Sequence, residues 1–224
     1  FINLSPLYRR KGGRPRFLAN EKYLGEPEMA KWYGWMGTIL RVNLSTGKIT
    51  KEPLSEELAY NFIGGRGVNS KILYDETGPE TDPLGPENRL IIGTGPTTGT
   101  LSLGNSRFTV TAKSPLTGIL GDASGGGAFG AEVKFAGYDH ILIQGRADKP
   151  VYLWVSDDEV VIKNAQHLWG KTTWETEKII REELGDMDIK TLCIGPAGEN
   201  LVKYASPIPN DEAVPAETGM GCVM

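Results

Sequence analysis

The alternation of apolar and polar residues divides most of the chain into short strands and amphipathic helices. Residues 38–44 alternate with a period of two, and residues 48–52 do so again after a short turn. This order predicts a β-hairpin. Residues 150–155 and 160–163 predict a second hairpin about one hundred residues later, around another polar turn.

Each hairpin leads into a predicted helix and then into a buried strand that ends in a Gly-Pro loop. The two strands are residues 89–92 and 190–194. Because hairpin, helix, strand and loop occur twice, the order predicts an internal duplication, with coincidence of common elements as the alternative. A pseudo-twofold axis would place the two loops opposite each other. The residues predicted to bound the two helices are Ser55 and Gly64, and Thr172, Glu175 and Gly185.

The densest glycine cluster lies between the two halves. Residues 106–112 predict a strand, residues 113–118 predict a turn, and residues 121–130 predict a glycine-rich loop. Residues 131–136 predict a helix that points its positive end at the loop, an arrangement that binds anions. The alternative is that these glycines permit tight packing of strands. The loop lacks the Gly-Lys-Ser/Thr of a nucleotide-binding P-loop.

Composition narrows the class of protein. The chain has 224 residues, 29 glycines and a formal net charge of -4, and no long apolar run. These values predict a cytoplasmic protein without a nucleic-acid or membrane partner. Cys193 and Cys222 are too few for a disulfide framework or a cluster site, and His140 and His167 are predicted to be structural or surface residues. Residues 1–31 predict a disordered leader or a wrongly assigned start.

No set of side chains in the sequence provides catalytic machinery of its own. A catalytic triad, a carboxylate pair at fixed spacing and a nucleophile elbow are all missing from the sequence. Any chemistry therefore belongs to a bound cofactor.

Six sequence blocks occur in order along the chain: Tyr33 to Gly37, Arg41 to Gly47, Gly95 to Thr100, Lys113 to Gly118, Phe129 to Asp139 and Ile194 to Lys203. Together they closely resemble the N-terminal domain of the tungsten-containing aldehyde:ferredoxin oxidoreductase family. The resemblance covers residues 33–224 and identifies residues 32–224 as the pterin-binding domain, truncated at its C-terminal end.

The resemblance implies an α+β fold of two similar β-sheet halves with short helices. A pseudo-twofold duplication would cradle a tungsten bis-pyranopterin of the molybdopterin type, with a magnesium ion between its phosphates. The residues do not distinguish tungsten from molybdenum. A 4Fe-4S cluster would be held by the missing C-terminal part, and the implied partners are ferredoxin, a small aldehyde and a second copy in a homodimer.

The family pattern also implies the site residues. Arg107 matches an arginine that contacts the pterin, and Ser124 begins the first glycine loop. The backbone carbonyls of Ser124 and Val214 would bind magnesium. The full set of implied cofactor-binding residues is Arg107, Ser124, Gly125, Gly126, Gly127, Val214 and Ala216.

The second loop departs from the family pattern. Asn210 and Asp211 match its beginning, but Ala213 and Glu217 stand where arginines are expected. An acidic side chain beside a phosphate is repulsive. A reading-frame error in residues 212–224 and true divergence toward an inactive protein both explain the change.

The implied function is binding of the cofactor in an enzyme that oxidises aldehydes to carboxylic acids with ferredoxin as the electron acceptor. Two alternatives remain open: a family member acting on an aromatic acyl thioester, and a non-catalytic, cofactor-binding remnant. In every case we expect the chain alone to be inactive, because two cysteines cannot hold the cluster that would receive the electrons.

Overall fold

A computed structural model describes residues 2–7, 33–210, 214–215 and 218–224, with residues 2–7 as backbone only. The strands are β1 (Ile2–Leu7), β2 (Thr38–Asn43), β3 (Lys48–Pro53), β4 (Arg89–Thr94), β5 (Phe108–Lys113), β6 (Leu120–Gly125), β7 (His140–Gln144), β8 (Val151–Ser156), β9 (Glu159–Asn164), β10 (Leu192–Cys193) and β11 (Ile208–Pro209). The helices are α1 (Glu56–Phe62), α2 (Arg66–Glu76), α3 (Phe129–Phe135), α4 (Thr173–Leu184), α5 (Pro196–Glu199) and α6 (Met220–Val223), and a 3-10 turn spans Gln166–Leu168.

Six strands form one mixed sheet in the order β3-β2-β7-β4-β5-β6. The predicted hairpin β2–β3 is confirmed, with Thr38 opposite Pro53 and Asn43 opposite Lys48. β2 and β7 are parallel, and the other neighbouring strands in this sheet are antiparallel.

The other five strands form a second sheet in the order β11-β10-β1-β8-β9. The predicted hairpin β8–β9 is confirmed at its edge, with Val151 opposite Asn164. β1 lies in the middle of this sheet, parallel to β8 and antiparallel to β10. The prediction of a disordered leader over residues 1–31 is therefore wrong for Ile2–Leu7, because their backbone pairs along the full length of β8. Residues 8–32 lie outside the described part of the chain.

The two sheets pack face to face across the main hydrophobic core. Val42, Ile92 and Val110 of the six-stranded sheet share this core with Leu153 and Val155 of the other sheet. Strand side chains alternate between faces, so the remaining apolar residues of each strand point outward and need another cover.

Helices provide that cover on both outer faces. Ile39 and Ile91 pack with Ile72 of α2 and with α1. On the other side, Tyr152 packs with Ile180 of α4. The result is a mixed α+β fold with the layer order helix, sheet, sheet, helix. Each half has a hairpin and a covering helix, and the duplication itself stays a prediction. No helix in the described ranges is long and apolar enough to cross a membrane.

Local capping signals predicted the helix ends closely, although α1 ends at Phe62 with Ile63 as its C-cap and not at the predicted Gly64. Ser55 caps α1 by accepting a bond from Leu58 N–H, and Thr172 caps α4 in a complete capping box with Glu175. Gly185 ends α4 in the left-handed conformation, at φ 68°. α2 and β7 were not predicted. The glycine before α2 provides no capping side chain. β7 is buried on both faces, so its sequence lacks the alternation of apolar and polar residues that predicts a strand.

Candidate functional site

Five strands of the six-stranded sheet have one of their termini at the same end of the sheet, which we call the site end. Their residues there are Thr38, His140, Thr94, Phe108 and Gly125, aligned by the strand registers. The connecting segments before β2 and β5 and after β4 and β6 therefore lie close together. The predicted residues Arg107 and Ser124 to Gly127 all fall at this end.

The glycine-rich loop is shorter than the sequence predicted. Residues 121–125 belong to β6, because each pairs with a residue of β5, and only Gly126, Gly127 and Ala128 separate β6 from α3. Gly127 has φ 89°, a conformation that L side chains rarely adopt. The predicted helix is confirmed but begins at Phe129, two residues early.

Gly125 is required by packing. A Cβ on Gly125 would lie 2.5 Å from the ring of Phe108, its partner in the β5–β6 register, and 3.1 Å from Pro215 Cδ. The packing alternative for the glycine cluster therefore explains Gly125. The same contacts place Val214 and Pro215, from the second predicted loop, directly beside the first. Val214 is exposed.

Thr218, near the end of the second loop, lies beside β6. Ser114 Oγ donates to the carbonyl of Thr218, and a Cβ on Gly121 would meet both residues and Met220. Thr218 adopts φ 54°, which is strained for a β-branched residue. Ala213, Ala216 and Glu217 are outside the described residues, so their predicted places stay predictions.

Arg107 lies at the site end with an exposed side chain. The sequence predicted that Arg107 lies within this strand, but β5 begins at Phe108 and Arg107 directly precedes it. Its carbonyl accepts from Thr98 Oγ1 at 3.1 Å, which fixes its backbone. Its guanidinium makes no hydrogen bond or ion pair with any described residue. An arginine held in this way is available to an external anion.

A buried ion pair holds the segment that precedes β2. Lys134 Nζ lies 2.6 Å from Asp139 Oδ1 and donates to the carbonyl of Gly34 at 2.6 Å. The Asp139 carboxylate also accepts from the backbone N–H groups of Met36 and Gly37. Burial lowers the pKa of Lys134, although Asp139 partly compensates. Sequence reasoning missed this pair, because a lone Lys and Asp five residues apart give no signal.

A chain of hydrogen bonds crosses the outer face of the sheet under α2. Asn69 Nδ2 donates to the carbonyls of Ile91 and Thr109 and to Thr111 Oγ1. Asn69 Oδ1 can only accept, so His140 Nδ1, at 2.8 Å, carries the proton of a neutral ring. Burial lowers the pKa of His140 to about 4.

This hydrogen-bonded chain ends in an ion pair at β6. Thr111 Oγ1 donates to Asp122 Oδ1 at 3.0 Å, and the other carboxylate oxygen accepts from the guanidinium of Arg66. His140 is thus a buried structural residue, as predicted. His167 lies on the surface, 3.0 Å from Glu183.

The described residues contain no group of three or more His, Cys, Asp or Glu side chains placed to hold a metal ion. Cys193 and Cys222 are both buried, and they lie in separate elements, β10 and α6. The donors available at the site end are backbone groups, hydroxyls and Arg107, which suit phosphate and other anions.

Comparison with known proteins gives a consistent family. Residues 39–224 match the aldehyde ferredoxin oxidoreductase N-terminal domain family. The chain is 49% identical over 192 residues to the tungsten-containing aldehyde ferredoxin oxidoreductase of Pyrococcus furiosus, covering 86% of this chain and 32% of that protein. It is 35% identical over 208 residues to the aliphatic sulfonate oxidoreductase, WOR-like subunit, of the same organism, covering 86% of this chain and 33% of that subunit.

A solved structure shares the fold. The active site complex BamBC of benzoyl coenzyme A reductase, in complex with 1,5-dienoyl-CoA, superposes with a TM-score of 0.84 at 38% identity. The match covers 86% of this chain and 29% of that chain. The present chain thus spans about a third of the length of these relatives.

Proposed function

We propose that this chain, which belongs to the aldehyde ferredoxin oxidoreductase N-terminal domain family, holds a tungsten bis-pyranopterin in a longer oxidoreductase. The observation that carries the proposal is the meeting of the two predicted loops at Gly125 and Pro215, with Arg107 at the same end of the sheet. A cofactor with two similar halves needs two such segments side by side.

The residues present fit the phosphates of such a cofactor. Arg107 has no partner among the described side chains, and the Gly126–Gly127 turn has no side chain that would hold a ligand away from its backbone. The backbone carbonyls of Ser124 and Val214 would provide oxygen ligands for magnesium, since hard cations accept carbonyl oxygens as ligands. Gly125 would contribute by letting Phe108 and Pro215 close around the loop.

The proposed activity is oxidation of an aldehyde to a carboxylic acid, with ferredoxin as the electron acceptor. When bound, the cofactor supplies the redox and oxo-transfer chemistry. The chain's own residues hold and orient it, and the Lys134–Asp139 pair fixes the neighbouring backbone. We place the 4Fe-4S cluster and the substrate contacts in other parts of the longer protein, and we propose that the longer protein is a homodimer. We propose a cytoplasmic location.

A second candidate activity follows from the structural neighbour. The similarity to the benzoyl coenzyme A reductase complex supports a reaction on an aromatic acyl thioester. Assaying the protein that carries this chain with an aldehyde and with an aromatic acyl-CoA would separate the two. Absence of both activities, with cofactor bound, would support the non-catalytic alternative.

Cofactor retention tests the proposal directly. The protein that carries this chain would be purified from a host that makes the cofactor, and tungsten and pterin would be measured for wild type and Arg107→Ala. We expect several-fold less of both in the variant with an unchanged melting temperature, since the guanidinium has no structural partner. Arg146→Ala is the control, because Arg146 lies at the opposite end of the sheet. Equal retention by Arg107→Ala and wild type would contradict the assigned role.

A further inference from the structure

The N-terminus of α2 has no side-chain cap. This helix has eleven residues, and its N-cap residue, Gly65, offers no acceptor for the amides of the first turn. Gly65 N–H donates to Thr94 O and Gly67 N–H to Gly64 O, whereas Arg66 N–H has no acceptor among the described residues. α4 differs, because Thr172 and Glu175 cap it. The positive end of α2 is thus left open.

Two hydroxyl groups lie beside this open helix end. Thr109 and Ser124 are opposite each other in the β5–β6 register, and both point to the outer face, where α2 lies. Thr109 is only 7% exposed, and neither hydroxyl has a hydrogen-bond partner in the described part of the chain. A Cβ on Gly65 would lie 3.5 Å from Thr109 Oγ1, so the Thr109 hydroxyl faces the N-cap of the helix.

The charged side chains beside the helix end compensate each other, so they do not repel an anion. Arg66 is the first residue of the helix and brings a largely exposed guanidinium. Asp122 is the neighbouring acidic group, and both of its oxygens are engaged, one by Arg66 and one by Thr111. Its charge is therefore compensated within the fold.

The helix end is also held rigidly. Asn69, in the first turn of α2, is fully buried and bonds to β4, β5 and His140 of β7. A Cβ on Gly93 would clash with the Asn69 carboxamide, so glycine at that position is what lets Asn69 reach into the sheet. A site with little freedom to lose on binding favours affinity.

We propose that the N-terminus of α2, together with the hydroxyls of Thr109 and Ser124, binds a phosphate group. A phosphate oxygen accepts from helix N–H groups and from hydroxyls, and the helix dipole favours its charge. The phosphate could come from solution or from the proposed cofactor, and only the second source rests on the proposed function. Ser124 would then contribute its side chain here as well as its backbone to the loop.

Titration with inorganic phosphate tests the site without the cofactor. The whole chain, labelled with ¹⁵N, would be titrated at constant ionic strength while the amide resonances of Arg66 and Ser124 are followed. We expect saturable shifts at these residues and none at Thr173, in the first turn of the capped helix α4. Chloride at equal ionic strength should produce no saturable shift.

Side-chain variants make the test specific. Thr109→Val should weaken phosphate binding about tenfold, since it removes one hydrogen bond to a charged group. Thr109→Ser keeps the hydroxyl and should bind as wild type. Thr191→Val is the matched control, because Thr191 is also buried with an unpartnered hydroxyl but lies in the other half of the fold.

Two results would overturn the proposal: no saturable shift at Arg66, or equal phosphate affinity in wild type and Thr109→Val. The cofactor measurement keeps the two proposals apart. Phosphate binding in a protein that retains no pterin would support this site and contradict the proposed function. Retained pterin with no response to phosphate would support the proposed function and contradict the phosphate site.

Discussion

Glu132 carries a perturbed carboxyl group whose removal should stabilise the fold at neutral and higher pH. It lies in the first turn of α3 and faces Asp186, Asp188 and Lys190, in the segment before β10. Burial raises the pKa of Glu132 from 4.5 to about 7; Lys190 opposes this, and Asp188 and Asp186 add to it. Glutamine has the shape of the protonated acid but does not titrate.

The magnitude follows from the two protonation states. A pKa of about 7 in the folded state against 4.5 in the unfolded state corresponds to at most about 3 kcal/mol, at about 1.4 kcal/mol for each tenfold change in proton affinity. Glu132 is partly exposed, so solvent screening reduces this to about 1–2 kcal/mol. Below pH 4.5 both states are protonated and the contribution is zero. Between pH 4.5 and 7, unfolding releases a proton, so stability falls as the pH rises.

Urea denaturation of wild type and Glu132→Gln at pH 4.5, 6 and 8 measures the effect. We expect the two proteins to agree closely at pH 4.5 and the variant to be more stable by about 1–2 kcal/mol at pH 8. An unchanged denaturant slope would show that both unfold from the same compact state.

Glu175→Gln is the matched control, because Glu175 is also in the first turn of a helix. Its pKa is lowered by hydrogen bonds from the Thr172 backbone N–H and hydroxyl. This variant should therefore lose stability at pH 8. A constant difference between wild type and Glu132→Gln across the three pH values would refute the reasoning, because packing changes do not titrate.

Two further stability predictions follow from packing and charge. Gly125→Ala should lower the free energy of unfolding by about 1–3 kcal/mol, measured by urea denaturation, because the new methyl group meets the Phe108 ring; wild-type stability would contradict the contact. Glu76→Gln should cost about 1–3 kcal/mol at pH 7, since Arg41 and Arg89 bond this carboxylate. Burial raises the Glu76 pKa, but the two arginines lower it more, so the net shift is downward. The greater stability of wild type should therefore be lost as the pH falls below 4.5. A stability difference between wild type and Glu76→Gln that does not change with pH would contradict this.

Local features of the sequence determined the hairpins and the capped helices. β2–β3 and β8–β9 are neighbours in the chain, and their alternating side chains specify which face is buried. α4 carries its own start and stop signals in Thr172, Glu175 and Gly185. Such elements need no information from distant residues, so they were predicted to within one or two residues.

The site could be predicted only in its parts. The sequence singled out Arg107 and the glycine loop through their resemblance to a family. It could not show that residues 121–125 form a strand. Glycine is required in β6 because a Cβ at Gly121 or Gly125 would meet Phe108, Pro215 or Met220. The contacts of Pro215 and Met220 with β6 join residues about one hundred positions apart.

Tertiary structure decided the rest. α2 starts at an uncapped glycine and depends on Asn69, whose side chain bonds to three strands across the sheet. β1 joins its sheet through pairing with β8, almost 150 residues away, and no local pattern announces that partner. A sequence specifies by itself those elements whose hydrogen bonds and apolar contacts lie within a few residues. Elements completed by distant backbone and buried polar side chains are determined only when the whole chain has folded.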